Sequence, residues 1–207
     1  MKIAEIFKSL QGEGKNQGKP CLFIRLAGCN LHCRWCDTEY AQSGGTDMSL
    51  DIILEHAWRQ NPSYVCITGG EPVLQADDLE PLLASLHRRG IAIDIETNGT
   101  VDFTRLLPYA SVSMDVKCPS SGEQSNLALL DLLRPQDMVK FVVNDETDCQ
   151  YASDIISTHR IQGEIFFSPV SGCDYRPIIR FILVNNLPVR FQVQLHKVIW
   201  APEARGV

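Results

Sequence analysis

Positive charge is scarce in this chain. Lysine and arginine number 19 against 25 aspartates and glutamates, giving a formal net charge of −6. Such a chain makes a poor nonspecific nucleic-acid binder, and we expect no nucleic-acid partner. Long apolar runs are missing too. No stretch approaches the roughly 20 residues of a membrane-spanning helix, so we expect no membrane partner. The opening segment, MKIAEIFKSLQGEG, lacks the apolar core of a secretion signal. Eight cysteines without such a signal point to a reducing cytoplasm, not to a disulfide framework. No repeat, linker or low-complexity segment interrupts the sequence. A length of 207 residues suffices for one core, so we expect a single domain over residues 1–207.

What the chain does have is a dense run of cysteines. Cys29, Cys33 and Cys36 lie in CNLHCRWCDT, spaced Cys-x3-Cys-x2-Cys, so three sulfurs share one short loop. Thiolates are soft ligands that suit iron–sulfur clusters or zinc. Ferredoxin-type clusters take four cysteines, and no fourth lies close by in sequence. Three thiolates on a four-iron cluster leave one iron open to a small molecule. The competing reading is a structural zinc site of the three cysteines with His32. Zinc knuckles draw their ligands from two separated pairs, and no second pair follows. Cys21, Cys66, Cys118, Cys149 and Cys173 read as ordinary core or surface residues.

Around this loop, strand and helix patterns alternate. Strands are expected at 21–27, 64–68, 91–96, 111–116, 138–143, 164–167 and 189–195. Ser49 is an expected N-cap, and Leu50, Ile53, Leu54, Ala57 and Trp58 fall on one helical face. Leu79, Leu82, Leu83 and Leu86 mark a second helix, stopped by Gly90. Further helices are expected at 103–107, 126–133, 148–157 and 176–183. Such alternation implies a parallel sheet with right-handed crossovers. A full eight-unit barrel takes about 250 residues. The expected fold class is therefore α/β, a partial (open) TIM-like barrel of about six parallel strands with outer helices. The motifs CNLHCRWCDT, TGGEP, ETNG, DVK and FSPVSG each follow an expected strand end, and such ends converge on one rim. Alternation in the strand at 21–27 puts Phe23 and Arg25 on one face, opposite Leu22, Ile24 and Leu26. An arginine there needs a partner, either an internal acid such as Glu96 or Glu13 or a ligand carboxylate.

The cysteine spacing, with Trp35 directly before the third cysteine, resembles the signature of the radical S-adenosylmethionine (SAM) superfamily. Gly69-Gly70-Glu71-Pro72 resembles its GGEP motif. The resemblance implies one [4Fe–4S] cluster on Cys29, Cys33 and Cys36, its open iron chelated by the amine and carboxylate of SAM. It implies SAM contacts from Trp35, Cys36, Asp37, Gly70 and Glu71, then from Glu96, Asn98, Asp115, Val116 and Lys117, and finally from Ser168, Pro169, Val170 and Ser171. The segments Leu10-Gln11-Gly12-Glu13-Gly14, Arg25 and Gln194-Leu-His-Lys197, with Pro202 and Arg205-Gly-Val207, resemble one branch, the 7-carboxy-7-deazaguanine synthases. That branch implies substrate contacts from Leu10, Gln11, Gly12, Glu13, Arg25, Thr68, His196 and Pro202, and a Mg2+ ion on Thr38. It implies a lyase that rearranges 6-carboxy-5,6,7,8-tetrahydropterin into 7-carboxy-7-deazaguanine and releases ammonia, on the way to queuosine or archaeosine in tRNA. A radical made from SAM removes a hydrogen from the carbon bearing the carboxylate, the ring contracts, and SAM is re-formed. The branch also implies a homodimer served by an external electron donor such as flavodoxin or ferredoxin. Some relatives read Ser-Pro-Lys where this chain has Asp115-Val116-Lys117. A glycyl-radical-activating enzyme of the same superfamily is a second reading, against which the LQGEG and HK segments speak. A third is a non-catalytic metal or electron-transfer module, which would hold a fully ligated metal.

Overall fold

A computed structural model describes residues 1–201 and 204–207. The chain begins with β1 (Lys2–Leu10), which runs antiparallel to β2 (Pro20–Leu26) and to the short β3 (Thr46–Asp47). From β2 onward every pairing is parallel, through β4 (Tyr64–Gly69), β5 (Ala92–Thr97), β6 (Ser111–Val116), β7 (Met138–Val143), β8 (Glu164–Pro169) and β9 (Arg190–Phe191). The sheet order is β3-β1-β2-β4-β5-β6-β7-β8-β9, an open, partial barrel. Among the described residues, no helix is long and apolar enough to cross a membrane.

The two faces of β2 follow the expected alternation. Leu22, Ile24 and Leu26 join the large core beneath the helices. Cys21 and Phe23 pack on the other side with Tyr64, Cys66 and Phe7. Helices α1 (Leu50–Gln60), α2 (Ala76–Arg88), α3 (Glu146–Thr158) and α4 (Tyr175–Val184) cover the core side. Ser49 does cap α1, accepting from the Ile52 N–H at 3.4 Å. Gly90 sits at φ +72°, a conformation that ends α2 at little steric cost.

Three expectations need correction, and two elements were not expected. The segment 126–133 is a 3-10 helix (Leu127–Leu132), not an α-helix, capped by Asn126. The helix at 103–107 is one 3-10 turn (Thr104–Leu106). The last strand is only Arg190–Phe191, because Gln192 and Gln194 turn inward to polar partners. The N-terminal strand β1 and the final turn α5 (His196–Ile199) carried no assignment from sequence.

The open side of the barrel is filled by two loops. Residues 11–17 meet the segment after β9, with Leu195 N–H donating to Gly12 O at 2.9 Å. The Gln17 amide donates to Gly12 O at 2.9 Å and Val193 O at 2.8 Å. The Gln192 amide grips Gly14 from both sides, accepting from its N–H at 2.6 Å and donating to its carbonyl at 2.9 Å.

Candidate active site

The ends of the parallel strands open onto a cavity of about 890 Å³. Cys29, Cys33 and Cys36 face it, all free and half-buried. The cysteine loop is held where it is by backbone bonds. Gly28 N–H donates to Ala41 O at 2.8 Å, and Glu71 N–H donates to Gly28 O at 2.8 Å. Gly70 lies so close that a Cβ there would collide with Gly28 O and stand 2.8 Å from Cys29 Cβ. The Asn98 amide sits 3.9 Å from Cys29 Sγ. His32 is exposed, does not line the cavity and pairs with Gln42 at 3.3 Å. The zinc reading needs His32 beside the three thiols, and His32 lies outside the cavity that they face. A four-iron cluster spreads its thiolates over different irons, and this donor set fits it.

Opposite the cysteines, charged side chains alternate across the barrel mouth. Lys117 pairs with Asp115 at 2.8 Å, Lys140 lies 3.6 Å from the same Asp115 oxygen, and Lys140 also bonds Glu13. Gln194 donates to the second Glu13 oxygen at 2.5 Å. Burial would raise the Glu13 carboxyl, but the charges of Lys140 and His196 and the hydrogen bond from Lys140 together outweigh it and hold Glu13 below its ordinary value. Asp115 is lowered in the same way by Lys117 and Lys140. Glu96 goes the other way, because burial and the Glu13 charge both raise it. Its oxygens accept from Gln11 at 3.3 Å and Thr68 at 2.9 Å. Asp115 Oδ1 and Gln194 Oε1 are buried without a partner among the described residues. Such atoms are unfinished hydrogen bonds, and they suit a ligand rich in N–H and O–H donors.

Nearly all the expected substrate residues reach this one cavity. Leu10 enters from the end of β1, Gln11, Gly12 and Glu13 from the loop after it, Arg25 from β2, Thr68 from β4 and His196 from α5. Pro202 lies outside the described residues. Of the expected SAM residues, Trp35, Cys36, Asp37, Gly70, Glu96 and Asn98 line the wall, as do Asp115, Lys117, Val170 and Ser171. Val116, Ser168 and Pro169 do not; they are buried within β6 and β8. Glu71 does not either. Its fully buried carboxylate accepts from Val73 N–H at 2.9 Å, Asn98 N–H at 2.6 Å and Thr97 Oγ1 at 2.8 Å. It therefore joins the GGEP loop to the ETNG loop. Thr38 lines the cavity, its hydroxyl 3.0 Å from Asp37. Asp37 pairs with Lys197 at 2.9 Å and lies 3.6 Å from His196, so the cysteine loop is tied to the C-terminal segment.

Arg25 has a partner that the sequence reading did not name. Its Nε donates to Glu5 at 2.8 Å, and the two residues face each other across β1 and β2. The Tyr40 hydroxyl donates to the same Glu5 oxygen at 2.5 Å. Burial and that bond push the Tyr40 phenol up to about 12. Lys140, Glu5, Tyr40 and Trp200 are wall residues that sequence reasoning missed. Lys140 had a readable signal, since it is a charge within an expected strand, whereas Glu5 lies on β1, which carried no assignment.

Comparison with known proteins agrees with this geometry. The Radical SAM superfamily model matches residues 23–134. A 7-carboxy-7-deazaguanine synthase of Methanospirillum hungatei is 54% identical over 202 residues, covering 98% of this chain and 86% of that protein. One from Koribacter versatilis is 38% identical over the full length of both. The crystal structure of QueE from Escherichia coli superposes with a TM-score of 0.78 at 29% identity, covering 94% of each chain. The open barrel, the three free thiols on its rim and these full-length relatives together place the chain in the 7-carboxy-7-deazaguanine synthase family of radical SAM enzymes.

Proposed function

We propose that this enzyme rearranges 6-carboxy-5,6,7,8-tetrahydropterin into 7-carboxy-7-deazaguanine with loss of ammonia, serving 7-deazapurine biosynthesis for tRNA. As a radical SAM enzyme it uses a [4Fe–4S] cluster and SAM, acts on a small molecule and takes an electron from a donor. The supporting observation is one cavity that joins three thiols to Gln11, Glu13, Arg25 and His196, drawn from both ends of the chain. When bound, the cluster and SAM supply the radical that removes the substrate hydrogen. The protein's own groups do the rest. Cys29, Cys33 and Cys36 would hold the cluster. Asn98, Asp115 and Lys117 would hold SAM. Glu13 and Glu96 accept from N–H groups of the pterin edge, and the free nitrogens of Arg25 take its carboxylate. Thr38 would offer a hydroxyl to Mg2+, an ion that favours oxygen ligands. Residues 1–207 act as one domain, in a cytoplasmic homodimer with a flavodoxin- or ferredoxin-like donor.

The test is anaerobic reconstitution of the cluster, turnover with the carboxypterin and SAM, and mass analysis of the products. Many carboxydeazaguanine molecules are expected per SAM lost, because the net reaction is redox-neutral. Deoxyadenosine accumulating in step with product would overturn the cofactor role of SAM.

A further inference from the structure

Lys140 has no role in the reading so far, yet it is a lysine held inside a barrel. It stands on the inward face of β7, with 13% of its side chain exposed, against Glu13 at 14% and Asp115 at 17%. Asp115 is its register partner on β6. Its ammonium therefore bridges a carboxylate on the loop after β1 and one on the sheet. A buried lysine is held charged only by such partners, and Lys140 is raised well above its ordinary value: burial opposes this, and the charges of Glu13 and Asp115 outweigh burial.

The arrangement leaves Glu13 ready to bind. A carboxylate offers about four lone-pair positions. Lys140 takes one on Oε2 and Gln194 one on Oε1. Positions remain on both oxygens, the pattern that reads two adjacent N–H groups, such as an exocyclic amine and the neighbouring ring nitrogen.

We propose that Lys140 is a positioning residue that keeps Glu13 ionised and aimed at paired N–H donors of the substrate ring. This rests on the function proposed above. The charges facing Glu13 are Lys140 from β7, Glu96 from β5, Asp115 from β6 beyond Lys140, Asp37 from the cysteine loop and His196 from α5. With Lys140 neutralised, burial and the acids prevail. Glu13 is then raised, with His196 alone still opposing, so it takes up a proton more readily as pH falls and presents a donor where the ring also presents donors.

The experiment measures binding of 6-carboxypterin, an aromatic analogue without the abstractable hydrogen, to the reconstituted holoenzyme with SAM. Calorimetric titrations run from about pH 5 to about pH 7.5, where the carboxylates and histidines of a folded protein titrate. Wild-type affinity is expected to stay flat on the acid side. Lys140→Met is expected to weaken it by about ten-fold or more, with a new loss as pH falls. Lys140→Arg should restore the flat profile. Glu13→Gln should bind weakly at every pH, with no new acid limb. Lys140→Gln, which keeps a donor but not the charge, gives the same reading if the methionine variant does not fold. A wild-type pH profile in the folded Met or Gln variant overturns the role of Lys140. Failure of wild type to bind the analogue overturns the proposed function itself, and the inference with it.

Discussion

Single side chains decide the fate of Arg25. Its pairing with Glu5 uses Nε alone, so the remaining guanidinium nitrogens stay available at the cavity wall. Arg25→Lys keeps the charge but cannot serve Glu5 and a ligand carboxylate at once. Loss of one charge-assisted contact should cost on the order of 1.5–3 kcal/mol in substrate affinity. Cluster content and uncoupled SAM cleavage should be nearly unchanged. Equal substrate affinity in the two proteins would make Glu5 the only partner that matters. The cysteines give a second test at this scale. Cys21, Cys66, Cys118 and Cys149 are buried away from the cavity, and Cys173 does not line it. Changing each to Ala should leave iron content and cluster absorbance intact, whereas Cys29→Ala, Cys33→Ala or Cys36→Ala should abolish both. Most of this scale was legible, because the cysteine spacing and the LQGEG and QLHK segments are local patterns. The partner of Arg25 was not, since it depends on the register of a strand that was not assigned.

Between elements, fixed backbone contacts set the site. Gly70→Ala drives a methyl group into Gly28 O and toward Cys29. The cysteine loop must then move, so the variant is expected to fold but load less iron on reconstitution, with its thermal midpoint lowered by only a few degrees. Full iron loading would show that the loop has slack. Asp137 tests a second junction. Its buried carboxylate accepts from Val112 N–H at 2.9 Å and from Arg134 N–H at 2.8 Å, and pairs with the Arg134 guanidinium at 2.9 Å. Burial would raise its carboxyl, but the hydrogen bonds from Arg134 and Val112 hold it below 3.8. A lowered carboxylate stabilises the fold above its unfolded value, and that contribution is lost as pH falls through the folded value. Asp137→Asn should therefore cost roughly 1–3 kcal/mol near neutrality, as read by denaturant unfolding. The gap to wild type should close below about pH 3.8. A gap that persists in acid would assign the loss to shape, not charge. The parallel strands were legible at this scale because each is a short run with one wholly apolar face, such as Ile93 and Ile95 on β5 or Val112, Met114 and Val116 on β6, bounded by turn signals. The segment 126–133 was not: its leucines fit an α-helical face, yet Leu129, Leu130 and the C-cap Leu133 reach the core from a 3-10 helix that ends at Leu132.

Across the whole molecule, the catalytic face is completed by bonds between residues more than 170 apart. No local pattern announces them, which is why the end of the sheet was read as a longer strand. Gln192 is the best place to probe this closure, being 8% exposed and holding both the N–H and the carbonyl of Gly14. Gly14 itself is at φ +68°, and a Cβ there would press on the Met138 sulfur, so the loop cannot readily refit around a lost clamp. Gln192→Ala leaves the buried Gly14 N–H unpaired, while its carbonyl keeps the Gln17 N–H at 3.3 Å. The expected cost is roughly 1–3 kcal/mol, within the ordinary range of a destabilising single substitution. The loop at 11–17 also carries Gln11 and Glu13 into the cavity, so substrate affinity should fall alongside stability. SAM cleavage without substrate should persist, because the cysteine and GGEP loops hang on β2 and β4 at a different part of the sheet. Loss of both activities together would mean that the closure supports the entire rim; loss of neither would mean that Leu195 and Gln17 hold the seam by themselves.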